Sequence, residues 1–295
     1  MFVVVVLLAF ELVTRLVLFP ASKDIVRFAS YDAKAAALTE TRALRVAIVG
    51  NSAAEEGIDQ ARVEALLTKS LGRPVRVEMF LADASEIVTW NAMLQRYFWS
   101  THAKADVYVI NYFATLADRP QFEYLRVGMF FATFSQWPYY LREQLKTFSQ
   151  RVEFVLSSTW ATFGARDRIR DRTLRVIVPG YEDLIGRLNS APERTSTPSS
   201  GVEKKFSAFE MIVESARQQG ARVVVTAFPL RTGHYELDPS VVAQARRGEV
   251  SLLDLRRTPG LSPSSYRDGI HLIPSGRIIY TEHFSTVLAS ALAVN

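Results

Sequence analysis

The chain opens on one long apolar run and then settles into an alternation of short apolar segments and amphipathic ones. Residues 1–19, MFVVVVLLAFELVTRLVLF, carry only Glu11 and Arg15 as charges. As a helix, about 19 residues rising roughly 1.5 Å each span about 28 Å, close to the hydrocarbon thickness of a bilayer. Glu11 and Arg15 stand at i,i+4 and can pair, which lowers the cost of charge in an apolar segment. Leu18-Phe19-Pro20-Ala21 is a poor cleavage site. The segment 1–20 is therefore predicted to be an uncleaved transmembrane or signal anchor; a buried amphipathic helix is the alternative. Residues 21–43 predict a helical connector.

From 44 onward the pattern changes. Residues 44–49 predict a strand, Gly50 a sharp turn, and 53–70 a helix with Ile58, Val63, Leu66 and Leu67 on its apolar face. A second strand is predicted over 75–81, a helix over 86–99 and a third strand over 105–110. In the second half, a helix over 202–219 closes at Gly220, and strands follow at 222–227 and 250–255. A last helix starts at Pro274, with Ile278, Ile279, Phe284, Val287 and Leu288 periodic. This rhythm predicts a three-layer α/β/α sandwich around a parallel sheet of about five strands. The domain is placed over 44–295.

The rhythm breaks over about 117–201. Aromatic residues crowd this stretch, several helices fit it, and no β-α alternation does. It reads as a helical insertion with its own aromatic core, or as a lid or membrane-facing cap. Arg166, Arg168, Arg170, Arg172 and Arg175 alternate there with Asp167 and Asp171, which predicts a solvated, ion-paired face. Residues 190–201, SAPERTSTPSSG, predict a surface loop.

Composition narrows the chemistry. There is no cysteine, so disulfide frameworks and thiolate metal sites are excluded. The net charge is +5, but the arginines are scattered and no nucleic-acid motif accompanies them; no nucleic-acid partner is predicted. His102, His234 and His283 match no metal spacing, so neither a metal nor a cofactor is expected. One pair of segments does point to a reaction. A strand ending in Gly50-Asn51-Ser52 displays a serine at the carboxyl edge of a parallel sheet, where α/β folds bind ligands. A serine needs a base, and Asp268-Gly269-Ile270-His271 puts a histidine three residues from a carboxylate. The order Ser52, Asp268, His271 is that of serine hydrolases built on α/β sheets.

These motifs resemble the SGNH/GDSL hydrolase superfamily. Gly50-Asn51-Ser52, followed by Gly57, resembles its first block, with Asn51 in place of the more familiar Asp. Asp268-Gly269-Ile270-His271-Leu272 and then Pro274-Ser275-Gly276 resemble its last block. The resemblance covers about 44–116 and 202–290 and implies an SGNH-like, flavodoxin-like fold with a triad of Ser52, His271 and Asp268. It also implies an oxyanion site from the backbone N–H of Ser52, a backbone N–H of Ala84 or Ser85, and the side-chain amide of Asn111. Family members often carry glycine at the position of Ala84, and the usual Gly-x-Asn-Asp block is absent around Asn111. With an N-terminal anchor, the chain is similar to the accessory proteins of polysaccharide O-acetylation and teichoic-acid D-alanylation. That similarity implies an extracytoplasmic esterase or O-acyltransferase, an acylated polysaccharide as substrate, and a membrane-bound O-acyltransferase as partner. A membrane-associated lipid esterase and a non-catalytic SGNH-fold protein are the competing readings.

Overall fold

A computed structural model describes residues 2–112, 123–181, 202–233 and 235–293, with the backbone alone for 202–207. The expected loop at 190–201 and His234 lie outside the described residues. The chain divides into two compact units. One comprises Met1–Phe28 and Glu123–Gly201, the other Ala29–Phe122 and Val202–Asn295.

The larger unit is built on five strands: β1 (Leu44–Gly50), β2 (Val75–Leu81), β3 (Val107–Tyr112), β4 (Arg222–Ala227) and β5 (Ser251–Asp254). They form one sheet in the order β2-β1-β3-β4-β5, with every pairing parallel. This is the doubly wound order, with its switch point between β1 and β3. Helices cover both faces, which is why Val46, Ala47, Ile48 and Val49 are all fully buried. On one face, Val63 and Leu67 of the Gln60–Leu71 helix share a core with Phe284 and Leu288 of the Pro274–Ala293 helix. Elsewhere Phe98 packs edge-on against both Phe80 and Tyr108, at centroid distances of 4.9 and 5.3 Å. Arg45, near the start of β1, holds Asp106 just before β3 through its backbone N–H (2.8 Å) and its guanidinium (3.0 Å). The three-layer α/β/α reading is correct.

Several local expectations change. The helix predicted over 53–70 is two helices, Ser52–Gly57 and Gln60–Leu71, broken at Ile58 and Asp59. Asp59 caps the second by accepting from the Arg62 N–H at 3.1 Å. The last helix holds the break in place: Arg277 donates to the Ile58 carbonyl, and Thr281 accepts from the Asp59 N–H. That helix consequently buries Gly276, Tyr280, Thr281, Phe284, Ser285 and Leu288, while Ile278 faces solvent. Apolar periodicity finds Phe284 and Leu288 on this face but not Thr281 and Ser285, whose hydroxyls leave no apolar signal. The third strand runs two residues further than expected and contains Asn111.

In the smaller unit, the helix Phe2–Val13 continues as a π-helical turn, Thr14–Leu18. No single helix among the described residues is long and apolar enough to cross a membrane. Glu11 accepts from Arg15 at 2.7 Å, as the spacing predicts. It also accepts from the N–H groups of Ala161 (2.9 Å) and Thr162 (2.8 Å) and from the Thr162 hydroxyl (2.9 Å). The lone carboxylate of the apolar segment thus caps the first turn of the Ala161–Gly164 helix and ties the N-terminus to the insertion. Aromatic pairs fill this unit's interior, among them Phe28 with Phe131 and Trp137 with Phe154. The arginine-rich helix, Arg166–Ile177, carries the expected ion pairs of Arg170 with Asp167 and Arg175 with Asp171, and adds one from Arg168 to Asp24.

Candidate active site

The site is assembled at the carboxyl edge of the sheet, entirely within the larger unit. β1 ends at Gly50, where a Cβ would lie 2.8 Å from the Ala54 Cβ and 3.3 Å from that of Asn111. Only glycine lets the chain turn this tightly from strand into helix. Asn51 follows in an extended conformation and caps the Ser52–Gly57 helix, its Oδ1 accepting from the Ala53 N–H at 3.1 Å. Its carbonyl accepts from Ala54 and Glu55. Ser52 is left as the first helical residue, half-buried, and among the described residues no acceptor meets its N–H.

The last block is held by its own backbone. Tyr266 bridges Leu272 in antiparallel fashion, and the Arg267 N–H donates to the His271 carbonyl at 2.8 Å. Within that bend, Asp268 Oδ1 accepts from the N–H groups of Ile270 and His271, both at 2.9 Å. Its other oxygen, Oδ2, lies 2.7 Å from His271 Nδ1. The opposite ring nitrogen, Nε2, lies 2.9 Å from Ser52 Oγ. Burial pushes the Asp268 carboxyl up, but the two backbone donors and the imidazole outweigh it and bring it down to about 2. An ionised Asp268 holds the proton on Nδ1 and leaves Nε2 free to accept from the serine hydroxyl.

Two glycines in these blocks have steric reasons. A Cβ on Gly276 would lie 2.6 Å from the Ser265 carbonyl oxygen, so the last helix can approach the loop only without a side chain there. A Cβ on Gly57 would lie 2.6 Å from Phe228 Cε2, whose ring packs on Tyr280 at 4.8 Å.

The second block stands beside the first. Ala84 has φ +51°, the left-handed region that glycine occupies without cost. The turn therefore keeps a glycine-like backbone with an alanine in it, and Ala84 is exposed while Ser85 is buried. Asn51 Nδ2 donates to the Ser85 carbonyl at 3.3 Å, which joins the two blocks. Ser85 is also held from behind: Trp90 Nε1 donates to its hydroxyl at 2.7 Å.

Asn111 sits on β3 beside Gly50 and is fully buried. Its Oδ1 accepts from the Thr226 hydroxyl at 3.1 Å, and its Nδ2 has no partner among the described residues. A buried amide with its acceptor engaged and its donors free is chemically suited to meet developing negative charge. The sequence marks Trp90 only as an inward position of its helix, not as a donor to Ser85, and does not mark Thr226, whose hydroxyl meets Asn111 from a neighbouring strand.

No family model and no curated protein matches this sequence. Among solved structures, the chain is similar to a GDSL-like lipase from Bacteroides thetaiotaomicron at 12% identity and a TM-score of 0.45, over 90% of this chain and 98% of that one. It is also similar to a mutant of an acetyl-xylooligosaccharide esterase from Geobacillus at 11% identity and a TM-score of 0.42, over 84% of this chain and 96% of that one.

Proposed function

We infer that the protein is an SGNH-type serine acyl-ester enzyme. The observation that carries this reading is the continuous relay from Asp268 through His271 to Ser52, at 2.7 and 2.9 Å. Ser52 Oγ attacks the acyl carbonyl while His271 Nε2 takes the hydroxyl proton. We assign the oxyanion that forms to the N–H of Ser52, the second-block backbone at Ala84 and the Asn111 amide, the roles that the resemblance of these blocks implies. Collapse expels the alcohol, which takes the proton back from His271 and leaves an acyl-Ser52. Water or a sugar hydroxyl, deprotonated by the same nitrogen, then releases the acyl group and restores the serine.

The substrate class follows from motifs and surface together. The resemblance of the first and last blocks, combined with an apolar N-terminal segment, favours an acylated cell-surface polysaccharide handled outside the cytoplasm by a membrane-anchored enzyme, alongside a membrane-bound O-acyltransferase. A lipid ester as substrate is the second reading. It draws on the exposed apolar side chains of the smaller unit, including Phe134 and Phe148, each more than four-fifths exposed.

The test is covalent. The full chain is incubated with a fluorophosphonate and the adduct is mapped by peptide mass spectrometry. An adduct on Ser52 that disappears in His271→Ala is the expected result. A folded protein that takes no adduct on Ser52 would overturn the enzymatic reading. Comparing acetyl-glycan with long-chain glycerol esters then separates the two substrate classes.

A further inference from the structure

The smaller unit has a chemistry of its own. Its described residues, 2–28 and 123–181, carry twelve Lys and Arg against seven Asp and Glu, so this unit alone accounts for a net +5. It also exposes large apolar side chains along Phe2–Val13 and at the end of the arginine-rich helix, where Val176 is 82% exposed. Cationic and apolar surface together is what binds the interface of an anionic membrane.

Within this unit an open groove of about 350 Å³ runs between the N-terminal segment and the helix Arg166–Ile177. Leu18, Ile25, Ile169 and Val176 line it, with Arg168 and Arg172 among the few polar residues. The two arginines differ. Arg168 is committed to Asp24 at 3.1 Å. Arg172 reaches only the Ala21 carbonyl, at 3.4 Å, and among the described residues no carboxylate pairs with it. An apolar trough with a guanidinium that no described carboxylate pairs with fits an acyl chain attached to a phosphate, because the guanidinium recognises phosphate oxygens in bidentate fashion.

We propose that this groove binds one anionic phospholipid, its acyl chain along Ile25 and Ile169 and its phosphate at Arg172. The occupant is taken as a phospholipid rather than a peptide because the excess charge of the unit is positive and its surrounding surface apolar. The clamp of Glu11 on Ala161 and Thr162 gives the groove a fixed wall, since it fastens the apolar segment to the insertion. The proposal draws on the membrane-anchored reading above only for the source of the lipid.

The test uses the full chain in mild detergent, titrated with dioleoyl-phosphatidylglycerol or dioleoyl-phosphatidylcholine and read by native mass spectrometry. One phosphatidylglycerol adduct is expected, favoured over phosphatidylcholine. Arg172→Gln should weaken the phosphatidylglycerol adduct about fivefold, the effect of removing one near-surface cation. Thr173→Trp, which puts a large ring among the residues lining the groove, should abolish it, with an unchanged melting temperature as the fold control. Equal uptake of both lipids, or an adduct that survives Thr173→Trp in a folded protein, would overturn the proposal. Flotation with phosphatidylcholine vesicles, with and without phosphatidylglycerol, separates the two readings. A protein that floats but takes no lipid adduct loses the groove and keeps membrane association. One that takes the adduct but never floats loses membrane association alone.

Discussion

His271 Nε2 lies 2.9 Å from Ser52 Oγ, although 219 residues separate them in the chain. Four hydrogen-bond distances position this contact. Asp268 uses one oxygen to fix the bend through the N–H groups of Ile270 and His271 and the other to orient the ring. Asn51 fixes the serine end by capping the helix that begins at Ser52. The carboxylate therefore has two jobs, and they are separable by mutation.

Asp268→Asn keeps an acceptor for the bend but presents an amide to the imidazole. The ring then takes the wrong tautomer, with its proton facing Ser52. A loss in kcat of roughly 10³–10⁴-fold is expected, with little change in melting temperature. Asp268→Ala removes both roles and should lower the melting temperature as well. Ester hydrolysis and thermal unfolding, run on both variants, check the distinction; equal destabilisation by the two would show that the bend does not depend on Oδ1.

The pH dependence follows from the same residue. Its folded value, about 2, lies below the unfolded carboxyl value of about 3.9. The unfolded chain therefore binds the proton first as pH falls. The contribution of Asp268 to stability is complete above about pH 4 and is lost as the pH drops through about 2. Asp106 behaves in the same sense: burial pushes its carboxyl up, but hydrogen bonds from Arg45 outweigh this and lower it. Acid unfolding of Asp268→Asn should accordingly show a shallower loss of stability in this window than the natural chain does.

Ala84 stores backbone strain. A left-handed conformation costs a non-glycine residue roughly 1–2 kcal/mol, while glycine loses roughly 0.5–1 kcal/mol more chain entropy on folding. Ala84→Gly should therefore leave stability unchanged or raise it by up to about 1.5 kcal/mol. Ala84→Val should lower it and disturb the Ser85 carbonyl that Asn51 grips. Chemical denaturation measures both. A clear loss on Ala84→Gly would mean that the alanine methyl group is needed in its own right.

Gly276 is limited by space rather than by φ. Adding a methyl group puts it 2.6 Å from the Ser265 carbonyl oxygen, and neither backbone can yield without moving the loop that carries Asp268 and His271. Gly276→Ala should cost about 1–3 kcal/mol and reduce labelling of Ser52. Full labelling by a fluorophosphonate in a destabilised variant would show that the loop relaxes without disturbing the relay.

Asn51→Asp tests the substitution in the first block. Aspartate still accepts from the Ala53 N–H, but it cannot donate to Ser85 and brings negative charge to that carbonyl. A loss of about 1 kcal/mol is expected, detectable as a lower denaturation midpoint. Asn51→Ala removes the cap as well and should cost about 1 kcal/mol more.

The sheet and the reacting groups are written in local patterns of the chain. β2 and β4 are bounded where apolar runs meet turn residues, and β1 runs just one residue further, to Gly50. Ser52, Asp268 and His271 were legible because each belongs to a local pattern, a strand–turn–helix or a three-residue spacing. Their support comes from contacts that exist only in the folded chain. The break at Ile58 and Asp59 and the Thr226 hydroxyl on Asn111 depend on partners far away in sequence, and the left-handed turn at Ala84 carries no glycine to mark it. Glu11 is the plainest case. Its spacing predicted a pair with Arg15, and that pair exists, yet three further donors come from residues 150 or more positions away. Periodicity records which face of an element is apolar; it carries no record of which distant donor a buried oxygen will meet.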